Sequence, residues 1–233
     1  MSSVSTFFRD STIVFRRQLR MNLRNPAWVI IGMPQPVLSL LLFGPLLEPV
    51  IGQLGGNKYT WFVPGMLVQL GIFGAFFAGF SLIGEWREGV IEAERVTPAS
   101  RAALLFGRLY RDLLQLFVQA MILVGLGLDA GLGGIVLGVV LTLLLGGACA
   151  AASNAFALTV KSEDVMAPVI NLVMMPVLLL SGILLPMSFG AGWLERLSDF
   201  MPVRHIVDAV RGAFFGDFDL GTMGWGVGWT ALL

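Results

Sequence analysis

The chain has 233 residues, 56% of them hydrophobic and 13% charged, with a mean hydropathy of +0.83. A soluble domain carries about 25% charged residues, so these figures exclude a water-exposed surface around most of the molecule. Fifteen Lys and Arg balance fifteen Asp and Glu, and the single cysteine, Cys149, rules out a disulfide within the chain.

Taken in order, residues 1–26 form the first unit. Phe8, Phe15, Leu19 and Leu23 recur at seven- and four-residue spacing, and Arg9, Arg16, Arg20 and Arg24 follow the same rhythm on an adjacent face. This predicts an amphipathic helix lying on the inner leaflet with its arginines at anionic headgroups; the alternative is a positive flank without fixed structure. Pro26 supplies the break at which the chain turns into the bilayer.

Residues 27–233 read as one transmembrane domain. A helix needs about 20 mostly apolar residues to cross the hydrocarbon layer, and the runs here are continuous, which selects helices over strands. Spans are expected at about Ala27 to Leu47, Trp61 to Gly84, Leu109 to Leu128, Leu132 to Leu158 and Val165 to Met187, with a sixth starting near Met223. That last run has 11 residues up to Leu233, too few to cross, so the natural protein is expected to continue. The fold class is an all-α membrane protein with six transmembrane helices. Between the second and third spans lies a charged island, Glu85 to Arg101. Here Glu88 to Val96 favours a short helix, and Thr97-Pro98 predicts the cap and first residue of the next one.

Eleven of the 15 basic residues fall before the first span, in the connection from the second span to the third (Arg87, Arg95, Arg101, Arg108 and Arg111), or at Lys161. Cytoplasmic flanks collect such residues, which predicts cytoplasmic termini and a cytoplasmic island. Lys58, Arg196, Arg204 and Arg211 then lie outside. In the outer connection, roughly Ser188 to Thr222, Trp193, Leu194 and Leu197 mark one short helix. Ile206, Val210 and Phe214 mark a second after Pro202, both dipping back into the outer leaflet; the alternative is a plain surface hairpin. Arg204, Asp208 and Arg211 form a charge ladder on the second helix, and His205 reads as an interface residue.

Polar groups inside spans are expensive. Gln35, Gln69 and Asn171 either line a cargo path or hydrogen-bond neighbouring helices. No ionisable group stands in a convincing central position, which argues for energy supplied from outside the membrane. Pro34, Pro36, Pro45, Pro168, Pro176 and Pro186 mark bends, and Gly147, Ala151 and Ala155 allow close helix approach. An intramembrane enzyme is disfavoured. A zinc site needs two histidines or histidine with carboxylates, and the lone His205 lies outside the spans.

Two stretches carry a family resemblance. Glu88-Gly89-Val90-Ile91-Glu92 followed by Val96-Thr97-Pro98-Ala99-Ser100-Arg101 resembles the cytoplasmic segment of type-2 permeases of ATP-binding-cassette (ABC) exporters. Leu185-Pro186 followed by Pro202, Asp208, Arg211 and Gly216 resembles their extracellular pattern. The likeness covers almost the whole chain and is nearest to the daunorubicin-resistance-like drug exporter permeases.

The resemblance implies a permease that dimerises, most simply as a homodimer, with two copies of an ABC ATPase beneath it and lipid around it. Glu88, Glu92, Glu94, Arg95, Thr97, Pro98 and Arg101 would form the coupling helix that receives the ATPase's motion. Pro202, Arg204, Asp208 and Arg211 would belong to the re-entrant roof of the exit path. No GxxxxGK[ST] phosphate loop occurs, so ATP and Mg are expected on the partner ATPase and no cofactor on this chain. Cargo would be a hydrophobic or amphipathic compound, a drug, antibiotic or lipid, and the location a bacterial inner membrane. Export of a lipid-linked glycan and a non-transporting scaffold stand as alternatives; no nucleic-acid partner is expected.

Overall fold

The computed structural model describes residues 4–24, 58–97, 100–125, 131–183, 192–199 and 201–216, together with isolated helical positions at 38, 41, 42, 45, 224 and 228. Apart from those isolated positions, the first and sixth expected spans lie outside the described residues, and so do Gln35 and Pro98. Among the described residues there are eight helices and no strand: α1 (Val4–Arg24), α2 (Lys58–Arg87), α3 (Val90–Arg95), α4 (Arg101–Gly125), α5 (Leu132–Val160), α6 (Glu163–Leu180), α7 (Gly192–Asp199) and α8 (Pro202–Phe215).

Helix α2 is apolar on every side and fills the middle, with Val63, Met66, Leu67, Val68, Leu70 and Ile72 all buried. A helix of that kind needs apolar neighbours all round, and α4, α5, α6 and α8 provide them. The contact of α2 with α5 is close because small residues face each other along it. A Cβ on Gly71 would lie 3.2 Å from Thr142, and one on Gly79 would lie 2.8 Å from the Ser153 carbonyl. Ser153 Oγ also donates to the Phe76 carbonyl at 3.0 Å.

Helices α2 (from Val63), α5 and α6 are long and apolar enough to cross a membrane. In α2 67% of the most apolar window is buried, but in α6 only 17% is. Leu172, Val173, Met175 and Leu179 therefore stand exposed along α6, an apolar face suited to lipid. Three such helices in one chain are the pattern of a multi-pass membrane protein. Every 18-residue stretch of α4 contains Arg108, Arg111 and Asp112, so its charge-poor part begins at Leu113 rather than at the expected Leu109.

The boundaries of three helices differ from expectation. The island helix is shorter than Glu88 to Val96, because Glu88 and Gly89 form a turn with Gly89 at φ 73°, a left-handed conformation that glycine adopts without strain. The following helix starts at Arg101, not Thr97. Thr97 uses its hydroxyl backwards, donating to the Glu94 carbonyl at 2.6 Å, and so closes α3. Ser100 caps α4 by accepting from the Ala103 N–H at 3.2 Å. Further along, α6 runs from Glu163 and ends at Leu180, earlier than the expected Met187, followed by a turn with Gly182 at φ 69°.

At the opposite end α8 presses against the start of α5, with Phe214 lying over Gly138 and the Ala213 carbonyl over Gly134. A Cβ on Gly134 would overlap that carbonyl, and backbone cannot swing aside. Gly134→Val is expected to push α8 off α5 and destabilise the fold by about 2–3 kcal/mol, read as a lower unfolding temperature of the purified protein. Gly131→Val meets open space and should leave that temperature unchanged.

Candidate functional site

One end of the bundle carries a buried charge network built from four helices. Helix α1 turns three faces to three surroundings. Ser11, Val14 and Gln18 point inward, where Gly107 of α4 leaves room for Val14. Phe8 and Leu23 stand exposed on one flank, and Arg9, Arg16, Arg20 and Arg24 on the next. Arg17, the one arginine off that rhythm, reaches Glu94 of α3. Phe7 stacks edge-on against Phe106 of α4, ring centroids 5.6 Å apart.

Glu94 also accepts from Arg108 Nη2 at 2.6 Å. Arg108 donates in turn to Glu85 Oε2 through Nε at 2.9 Å and Nη2 at 2.7 Å. Glu85 Oε1 accepts from Gln18 Nε2 at 2.7 Å. Arg111 Nη1 donates to Gln18 Oε1 at 3.0 Å and to Ser81 Oγ at 3.2 Å. Arg111 Nε and Nη2 hold Asp112 Oδ1 at 2.9 and 2.7 Å. Three arginines (Arg17, Arg108, Arg111) thus face three carboxylates (Glu85, Glu94, Asp112), a balanced set. Burial alone would lower the Arg108 pKa, but the Glu85 and Glu94 charges outweigh it and hold the guanidinium above its ordinary value. Buried charges persist only when so matched. The network therefore joins α1, α2, α3 and α4 into one body.

The same end gathers the α5–α6 turn. Lys161 Nζ sits 5.3 Å from the centre of the Trp86 ring, and Arg87 lies 3.5 Å from Glu163. The basic residues read as cytoplasmic therefore share one end, while Arg204 and Arg211 lie at the other.

Two cavities open beside the network, and another lies further along α2. One of about 710 Å³ lies among Gln18, Met21, Ser81, Glu85, Glu88 and Glu163. A cleft of about 560 Å³ runs between α2 and α6, walled by Phe73, Phe76, Phe80, Met174 and Met175 with Asn171 on its edge. A small pocket of about 50 Å³ lies between α2, α4 and α5 and is lined by Ser81, Asp112, Gln115 and Gln119. Phe77 lines all three.

The residues singled out from sequence are distributed unevenly. Glu88, Glu92, Thr97 and Arg101 are exposed, Arg95 is the last residue of α3, and Glu94 is buried and paired inward. Asn171 lines the aromatic cleft, whereas Gln69 is buried in α2 and is not a wall of it. Pro202 opens α8. Arg204 is bound chiefly to the end of α7, through the Glu195 carbonyl at 3.0 Å, Ser198 Oγ and Asp199 Oδ1 at 2.6 Å, and reaches Asp208 at 3.7 Å. His205 Nε2 lies 3.0 Å from the Asp199 carbonyl oxygen. Arg211 is buried and donates to the Gly182 and Ile183 carbonyls at 2.8 and 3.1 Å. The expected ladder is thus mainly a pair of helix-end clamps, because carbonyls left at helix ends need donors.

Sequence reasoning passed over Gln18, Glu85, Arg108, Arg111 and Asp112 as site residues. The signal was present. Charges at the facing ends of two adjacent apolar runs have to find each other.

Comparison with known proteins shows the family. The family model for the ABC-2 type transporter matches residues 10–215. Over 221 residues the chain is 26% identical to ycf38 of Cyanophora paradoxa, named as a transport permease, covering 90% of this chain and 76% of that one. Over 187 residues it is 25% identical to the daunorubicin resistance ABC transporter permease protein DrrB1 of Streptomyces coeruleorubidus, covering 78% and 66%. No solved structure matches.

Proposed function

The chain belongs to the ABC-2 type transporter family and is the membrane permease of an ABC transporter, and we propose that it works as an exporter of a hydrophobic or amphipathic compound, driven by ATP hydrolysed with Mg on a partner ATPase. The observation that carries the reading is the division of α3. Ile91 and Glu94 are buried and tied into the bundle, whereas Glu92, Ala93 and Val96 face outward. A short helix clamped on one side to three others and bare on the other is suited to receive a push and pass it on.

Glu88, Glu92, Thr97 and Arg101 offer the contact face for the ATPase, with Arg95 and Pro98 in the same segment. Glu94 serves from inside by anchoring the helix. In this reading two permeases, most simply identical, sit over two ATPase subunits in a bacterial inner membrane, with termini and α3 in the cytoplasm. The aromatic cleft edged by Asn171 supports an apolar or amphipathic cargo, since such walls bury ligands without polar cost. The clamps of Arg204 and Arg211, with Asp208 and Pro202, support α7 and α8 as an outer roof.

The test is twofold. Tagged permease from native membranes should bring down an ABC ATPase, and inside-out vesicles should take up a lipophilic fluorescent dye with ATP only when both are present. No ATPase in the pull-down, with uptake indifferent to the permease, would sink the reading.

A further inference from the structure

The small pocket beside the aromatic cleft contains an unanswered acceptor. Asp112 Oδ2 is buried and has no hydrogen-bond partner among the described residues, although Oδ1 takes two bonds from Arg111. A buried carboxylate oxygen left unmatched costs free energy that a donor would recover. The walls beside it, Ser81, Gln115 and the buried Gln119, are polar side chains that can both give and accept. The space of about 50 Å³ exceeds what one water needs and is too small for the body of a drug or lipid.

The charge state of the surroundings narrows the donor. Arg17, Arg108 and Arg111 already balance Glu85, Glu94 and Asp112. An ammonium would add a positive charge beside Asp112, whose own charge Arg111 already matches, which is expensive. A neutral O–H answers Oδ2 without changing the balance. Phe77 forms a wall common to this pocket and the aromatic cleft, which sets the two side by side along α2.

We propose that the pocket at Asp112, Ser81 and Gln119 is a head-group subsite for a neutral hydroxyl, and that the exported compound is an amphiphile bearing that hydroxyl on an apolar body lying along Phe73, Phe76 and Met174. The assignment rests on the reading of the cleft as the cargo site and sharpens it to a chemical class.

The test uses the purified full-length permease in lipid nanodiscs, with three diazirine-tagged probes of equal alkyl length: an alcohol, its methyl ether and an alkylammonium. Photolabelled sites are mapped by peptide mass spectrometry. The alcohol should label α4 between Asp112 and Gln119, and the ether only the cleft between α2 and α6. Gly74 lines the pocket, and a Cβ there meets nothing within 4 Å. Gly74→Leu should therefore fill the pocket without strain and cut alcohol labelling of α4 about tenfold, the worth of one lost hydrogen bond, leaving ether labelling unchanged.

Asp112→Asn, which removes the charged acceptor, should do the same where it folds, and Gly74→Leu reads the result where it does not. Equal labelling of α4 by alcohol and ether, stronger labelling by the ammonium, or indifference to Gly74→Leu overturns the assignment; the last means the pocket holds only water. Labelling needs neither ATPase nor transport. A negative result here therefore leaves the export reading standing, and failure of export leaves this one to be judged by its own data.

Discussion

Arg108→Met is expected to cost about 3–5 kcal/mol of stability, because it leaves Glu85 and Glu94 buried with one cation fewer between them. Arg108 is the hinge of the network. Its guanidinium takes Glu85 with two nitrogens and Glu94 with one, and its side chain is only 5% exposed. Methionine fills a similar volume, so packing is largely kept and the loss is electrostatic. The purified variant should unfold at a clearly lower temperature and expose the peptide bonds of the island to limited proteolysis.

Arg17→Met provides the contrast. Arg17 meets the same Glu94, but its side chain is 42% exposed, and water can replace it. The expected loss is about 1 kcal/mol or less. Adding Glu85→Gln to Arg108→Met restores the charge balance and keeps an acceptor for Gln18, so part of the lost stability should return. Equal effects of Arg17→Met and Arg108→Met would show that burial does not govern the network.

The helices were legible in the sequence because their apolar runs are long and uninterrupted. Those of α2, α5 and α6 begin within five residues of where the hydropathy places them. The island was legible as a helix between two spans, but its ends were misread for a local reason. Thr97-Pro98 carries the usual signal for a helix start, and the Thr97 hydroxyl found a nearer acceptor in the carbonyl of Glu94. Periodicity also exposed two faces of α1 and hid the third. Ser11, Val14 and Gln18 mix small, apolar and polar residues, and a hydropathy pattern has no word for a face that packs on a glycine and a salt-bridge cluster. Pairings such as Arg17 with Glu94, 77 residues apart, need the fold before they can be seen. Asp112 was invisible for the opposite reason: beside Arg111 in the sequence it looks neutralised, and only the geometry shows that one of its two oxygens is not.

Glu92→Lys combined with Val96→Asp is expected to disconnect the permease from its ATPase while leaving the permease folded. Both side chains are exposed, Val96 at 87%, and neither enters the network that holds α3 in place. A valine exposed at the end of α3 makes sense if a partner covers it, since burying it on a docking surface returns about 1.5–3 kcal/mol. Aspartate at the same place brings an unmatched charge into that contact, and lysine at position 92 reverses the charge offered to it. The ATPase recovered with tagged permease should fall tenfold or more, and ATP-dependent uptake of dye into inside-out vesicles should fall with it, at an unchanged unfolding temperature. Glu94→Gln should behave in the other order, losing stability first because it withdraws a buried charge from Arg108, with coupling failing only as α3 loosens. Normal ATPase recovery and dye uptake in the Glu92→Lys, Val96→Asp variant would move the docking face elsewhere and leave α3 as an internal brace, because a helix that transmits motion must be touched on the side it does not use to hold on.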